Sequence, residues 1–151
     1  MGIYLSEIFS RQSIILNLNG KFKDEIFTEL TRKITDAHPE CDETEILEAL
    51  WERENKMTTG IISGAAIPHA LCGKIKSMAG AIGISGSGID YDALDNKPVY
   101  VVFLLIMGDQ SRENHLRVLN QIIKLSQSEN LELIRNAKNT QDICSILSAF
   151  H

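Results

Sequence analysis

The chain has 151 residues, 44% of them hydrophobic, and a formal net charge of −5, which suits one compact domain over residues 1–151 with its own core. Its 15 basic and 20 acidic side chains are dispersed, so no basic stripe is present to track a phosphate backbone, and nucleic acid is not an expected partner. The longest apolar run, residues 99–107, is nine long, against the roughly 20 needed to cross a bilayer, and residues 1–11 lack the basic start and long apolar middle of a signal peptide.

A cytoplasmic protein without membrane insertion is therefore expected. Cys41, Cys72 and Cys144 are odd in number and form no Cys-x-x-Cys pair, so reduced and mostly buried thiols are expected rather than a disulfide framework or a zinc ribbon.

In chain order, Leu5, Ile8 and Phe9 fall at helical spacing, and residues 13–18 form a β-branched and apolar run suited to a strand. From Lys21, the positions Phe22, Ile26, Phe27, Leu30 and Ile34 predict an amphipathic helix to about Ala37. Asp42 with Glu45 reads as an N-cap and its reciprocal partner, opening a helix with Ile46, Leu47, Leu50 and Trp51 on its buried stripe. That helix delivers Arg53 to the segment Thr58–Ala70, rich in small residues and closed by Ile67, Pro68 and His69.

Residues 78–85 predict a strand closely approached by other backbone, with Gly86 to Gly88 turning the chain. Residues 90–98 read as a polar loop, and 99–107 as a strand buried on both faces at the centre of the sheet. Ser111 then caps a helix with Leu116, Leu119, Ile122 and Ile123 toward the core and His115 in its first turn. Ser128 and Asn139 start two short helices. The order of elements predicts an α/β domain, a mixed β-sheet with helices on both faces.

Of the four histidines, His38 lies in a turn and His151 ends the chain. His69 and His115 each admit a plain structural role, but both are expected near strand ends or helix starts, where α/β sites form. Pro68 fixes its own φ and pushes Ile67 toward an extended conformation, so His69 is offered from a stiff turn as a nucleophile would be. A neutral imidazole can attack phosphorus through one nitrogen while a hydrogen bond at the other fixes the tautomer. The phosphoryl dianion would then need donors such as Arg53, His115 and nearby backbone amides. Arg53 could equally be a solvated side chain paired with Glu52 or Glu54. His69, Cys72 and His115 could instead hold a metal, although no paired ligand motif supports this and Arg53 would repel a cation. Neither a metal nor a cofactor is expected.

Trp51–Glu54, Thr59 and Gly60, Ala66–Ala70, the run Asp92, Ala93, Leu94, Asp95, then Pro98 and Val99, and finally His115 and Leu116 resemble the enzyme IIA component of the bacterial phosphoenolpyruvate-dependent phosphotransferase system, in its fructose-mannitol and nitrogen-regulatory class. The likeness spans nearly the whole chain. It implies that His69 accepts a phosphoryl group from an HPr-type phosphocarrier, with Arg53 and His115 lining the pocket. Ile62 and Ala65 depart from the family's usual residues.

Sugar-specific members pass the group to an enzyme IIB partner, while nitrogen-regulatory members act on regulatory proteins. With no fused IIB segment and with the Asp-Ala-Leu-Asp run, the resemblance leans to the regulatory branch. The docking face is expected to include Ile61, Ile62 and Ala70.

Overall fold

The structure is a computed structural model that describes residues 4–108 and 112–150. In chain order the elements are α1 (Leu5–Ile8), a 3-10 turn (Arg11–Ser13), β1 (Ile14–Ile15), α2 (Lys23–Ala37), α3 (Glu43–Glu54), β2 (Ala65–Ala66), β3 (His69–Leu71), β4 (Met78–Ile89), β5 (Val99–Met107), α4 (Arg112–Ser126), α5 (Asn130–Arg135) and α6 (Thr140–Ala149). Among the described residues no helix is long and apolar enough to cross a membrane.

β5 organises the sheet. Its side chains are buried along its whole length except for half-buried Tyr100, as the uninterrupted apolar run predicts, and full burial of each large aliphatic contributes about 1.5–3 kcal/mol. It pairs antiparallel with β4 on one side and parallel with β2 and β3 on the other, and β1 adds to β4 in parallel. The sheet is therefore mixed, as expected.

Alternation along the strands splits the core in two. Val101, Phe103, Leu105 and Met107 face a cluster completed by α1, α4, α5 and α6. Val102, Leu104 and Ile106 face another, built with Ile26, Phe27, Leu30 and Ile34 of α2 and Ile46 and Leu50 of α3. Helices thus cover both faces.

Several local expectations are corrected. The strand expected at 13–18 is regular only at Ile14–Ile15, preceded by the 3-10 turn, although Leu18 still donates its N–H to the Ile84 carbonyl at 2.9 Å. Gly86 to Gly88 do not turn the chain. β4 runs through them to Ile89, and the register shifts between Ile84, opposite Val101, and Ile89, opposite Val99. Extra residues are taken up as a bulge, where Gly88 adopts φ +95 and a Cβ would lie 2.9 Å from that of Pro98.

Asp42 does cap α3, accepting from the Thr44 N–H at 2.8 Å, but Glu45 pairs with Lys74 at 3.1 Å instead of reaching back to the cap. On α4 the buried positions are Val118, Ile122 and Leu125, while Leu116 is 52% exposed. Leu133 of α5 is likewise exposed. The expected cap at Ser111 lies outside the described residues.

Candidate functional site

His69 is the first residue of β3, not a loop residue. β2 and β3 are two pieces of one edge, pairing with Val101–Val102 and Leu105–Met107 of β5 and interrupted by Ile67 and Pro68. Proline is tolerated there because the missing N–H removes no interior ladder bond. The break stays anchored: the Pro68 carbonyl accepts from Leu105 N–H at 2.9 Å, and Ile67 N–H donates to Thr59 at 3.2 Å.

The interruption shapes the histidine. Nδ1 of His69 lies 2.8 Å from the Ile67 carbonyl. A carbonyl only accepts, so Nδ1 carries the proton and Nε2 holds the free lone pair. Burial is the main influence on the ring and lowers its pKa from 6.5; the Ile67 hydrogen bond opposes this, and the Arg53 charge adds to the lowering. At neutral pH the imidazole is uncharged.

A cleft of about 710 Å³ opens at this edge, with His69, Ala70 and Leu71 between α3 and α4. From the α3 side come Ala49, Glu52, Arg53 and Lys56, and from the other Arg112, His115, Leu116 and Leu119. The two helices cover opposite faces of the sheet, so only the edge lets their ends meet. Three permanent cations face one carboxylate here, in a chain whose net charge is −5. That concentration of positive charge beside a neutral nucleophile suits an anion.

The structure thus gathers His69, Arg53 and His115 into one cleft. Arg53 is not paired with Glu54; its Nη1 donates to the Met57 carbonyl at 2.8 Å, tying the guanidinium to the turn after α3. Nε2 of His115 lies 3.3 Å from the Gly108 carbonyl, to which it can only donate. Gly108 has no room for a side chain, because a Cβ would overlap the Ile75 and Ser77 carbonyls.

Cys72 does not join them. Alternation turns it, like Ala70, toward the α2–α3 core, away from His69, and no group of three His, Cys, Asp or Glu residues among those described could hold a metal.

The departures Ile62 and Ala65 also stay out of the cleft. Ala65 is wholly buried against β5, and Ile62 packs on the α4-side core. Of the expected docking residues Ile61 is 49% exposed but Ala70 is buried; the exposed apolar side chains in the cleft lining are Leu71 at 65% and Leu116 at 52%.

Sequence reasoning missed a buried polar network beneath the site. Glu54 accepts from Lys23 Nζ at 3.0 Å, Thr59 N–H at 2.8 Å and the Thr59 hydroxyl at 2.6 Å. With that hydroxyl hydrogen committed, the Tyr91 hydroxyl donates to Thr59 Oγ1 at 2.7 Å. Burial, then the Glu54 charge, pushes the Tyr91 phenol far above its ordinary pKa, so it stays protonated. The same Thr59 receives Ile67, and Ile67 holds His69. Glu54 follows Ile46 and Leu50 at intervals of four, a signal of burial that was available in the pattern. Lys56 and Arg112 were missed because nothing local says that they meet.

A profile of the family described as phosphoenolpyruvate-dependent sugar phosphotransferase system, EIIA 2, matches residues 7–150. The fructose-specific EIIABC component of the system in Bacillus subtilis is 31% identical over 127 residues, spanning 84% of this chain but 20% of that protein. A nitrogen regulatory protein of Pseudomonas aeruginosa is 29% identical over 146 residues, which is 96% of this chain and 95% of that one. Among solved structures, nitrogen regulatory protein IIA-Ntr from Neisseria meningitidis superposes with a TM-score of 0.86 at 27% identity, covering 95% of this chain and 98% of its own. With the profile matching all but its extreme ends, the chain belongs to the EIIA 2 family of the phosphoenolpyruvate-dependent sugar phosphotransferase system.

Proposed function

We propose that this protein is a phosphoryl carrier in which His69 accepts the group at Nε2 from the phosphohistidine of an HPr-type phosphocarrier. The observation that carries the reading is the Nδ1 hydrogen bond to Ile67 in a cleft lined by Arg53, Lys56 and Arg112. The Nε2 lone pair forms a bond to phosphorus as the donor's P–N bond breaks, and the donor imidazole leaves with that electron pair. Because the transition state is loose, placement and charge supply the catalysis. Arg53 offers a planar fork to the phosphoryl oxygens, and the Ile67 carbonyl stabilises the positive charge that His69 gains. His115, in the first turn of α4, sits where a helix start favours an anion.

Transfer onward sends the group to an acceptor protein docking on Leu71 and Leu116. A regulatory output is favoured by the nitrogen regulatory relatives that align along nearly the full chain. The added dianion desolvates poorly in an apolar interface, so the unphosphorylated form binds the target and the phosphorylated form releases it. The fructose-specific relative supports the other reading, transfer to an enzyme IIB during sugar uptake.

Incubation with labelled phosphoenolpyruvate, enzyme I and phosphocarrier tests the proposal. The wild type should gain an acid-labile, alkali-stable label that His69→Ala lacks; labelling of His69→Ala at the wild-type rate would overturn it. Stoichiometric onward transfer to an enzyme IIB would select the uptake reading, and partner sets that change with phosphorylation the regulatory one.

A further inference from the structure

Nδ1 of His69 is held by the Ile67 carbonyl, so the ring is only as well placed as the Ile67 peptide. Ile67 stands in the break between β2 and β3, and its N–H bonds the Thr59 carbonyl at 3.2 Å. The placement of the histidine therefore refers back to Thr59.

Thr59 is fixed in turn by one carboxylate. Glu54 accepts the Thr59 N–H at Oε2 over 2.8 Å and the Thr59 hydroxyl at Oε1 over 2.6 Å. Both donors of Thr59 end on a single side chain, while its carbonyl receives Ile67. Thr59 is 3% exposed and Glu54 5%, so water does not stand in for either bond when it is lost. Glu54 is also the last residue of α3, next to Arg53. The helix end that carries the guanidinium to the cleft thus carries the carboxylate on which the histidine's support rests, and Arg53 Nη1 ties the intervening turn down at the Met57 carbonyl over 2.8 Å.

We propose that Glu54 and Thr59 are positioning residues for phosphoryl acceptance: their paired hydrogen bonds hold the Ile67 peptide, and through it keep the His69 proton on Nδ1 and the Nε2 lone pair aimed into the cleft beside Arg53. The inference rests on the phosphoryl-acceptor reading and assigns how its nucleophile is prepared. Which ring nitrogen keeps the proton is set by the bond that the other makes. A ring released from the carbonyl also populates the tautomer protonated at Nε2, which has no lone pair at the attacking atom. Movement of the Ile67 carbonyl by a fraction of an ångström therefore costs both the aim of the ring and the share of rings able to attack. Glu54→Gln has one acceptor oxygen for the two Thr59 donors and turns an N–H group toward one of them. Thr59→Val keeps the shape of the side chain without the hydroxyl, and Thr59→Ser returns the hydroxyl.

The test uses the full chain with nitrogen-15 in its histidine rings at about pH 8, above the ordinary titration of imidazole, the His69 signals being those that His69→Gln lacks. The wild type should show His69 protonated at Nδ1 alone. Glu54→Gln and Thr59→Val should bring in the Nε2-protonated tautomer and slow single-turnover acceptance by about tenfold or more, with the apparent affinity for the phosphorylated donor unchanged. Thr59→Ser should restore both readouts. Lys23→Met leaves both Thr59 bonds on the carboxylate while weakening the network, so it should keep the wild-type tautomer and rate at a temperature where it is folded. A His69 tautomer unchanged by Glu54→Gln and Thr59→Val, a rate unchanged by both, or an equal loss of rate in Lys23→Met would each overturn the proposal. Should Glu54→Gln fail to fold, the comparison of Thr59→Val with Thr59→Ser decides alone. A wild type that accepts no phosphoryl group would overturn the carrier reading instead, and the tautomer comparison would still show whether Glu54 and Thr59 set the ring.

Discussion

Replacing Lys23 by methionine strips a cation from a carboxylate with almost no access to water. The Glu54 side chain is 1% accessible, that of Lys23 is 14%, and 3.0 Å separates Nζ from Oε2. Removing one partner of a buried pair costs about 3–5 kcal/mol. Three features place this pair at the low end. The Thr59 N–H at 2.8 Å and hydroxyl at 2.6 Å stay on the carboxylate. The Tyr91 hydroxyl remains 3.4 Å from it. A methionine side chain also keeps apolar packing against the Tyr91 ring, whose centre lies 4.6 Å from the ammonium. The expected loss is about 3 kcal/mol, which for a chain of this length lowers Tm by about 6–12 °C.

Urea unfolding at pH 7 measures it, repeated at about 0.15 M and about 1 M salt; a buried pair is weakly screened, so the loss persists at the higher concentration. Adding Glu54→Gln completes a double-mutant cycle, with a coupling of at least about 1 kcal/mol expected. A loss under about 0.5 kcal/mol, or one that vanishes in high salt, would mean that Lys23 is solvated and that Thr59 alone holds Glu54.

Arg53→Ala should slow phosphoryl acceptance by the equivalent of about 1.5–3 kcal/mol, with lysine restoring only part of it, measured as single-turnover rates from the phosphorylated donor. The His69 ring should titrate below pH 6.5 by NMR, and acceptance should hold at neutral pH and decline as pH falls through that lower midpoint. Between 6.5 and the folded value the unfolded chain binds the extra proton, so His69 makes stability fall as pH falls through that window; His69→Gln should remove that part of the slope in urea midpoints. Gly108→Ala drives a Cβ into the Ile75 and Ser77 carbonyls and should cost about 1–3 kcal/mol, while shifting the carbonyl that holds His115, read as a lower Tm and slower labelling.

The long elements were legible because their side chains repeat with the period of the element. α2, α3 and β5 each carry a sustained pattern. The edge pieces β2 and β3 have two and three residues, too few for any period, and exist because β5 pairs with them across a long sequence separation. Gly86 to Gly88 read as a turn because glycine favours turns, yet neighbouring strands carry the chain onward through a bulge. His69, Arg53 and His115 stood out by motif, and Leu116 misled because an apolar side chain at helical spacing can line a cleft as readily as a core. The Glu54 network hid for a related reason: a carboxylate reads as surface until Lys23, Thr59 and Tyr91 are brought to it.

The break at Pro68 has a consequence for how anything can hold on at this edge. An outer strand normally presents a row of free amides and carbonyls on which a visiting chain can zip up as one more strand. Here the row is cut into lengths of two and three residues, one position has no N–H, and the adjacent Ile67 N–H is already given to Thr59. A visitor finds no ladder to extend and must grip side chains: exposed Leu71 on the strand, exposed Leu116 on the α4 wall, and the cations on both walls. Grips of that kind form quickly under electrostatic attraction and let go quickly. On the carrier reading, that is the behaviour required of a surface that must meet a donor, release it, and meet an acceptor at the same imidazole.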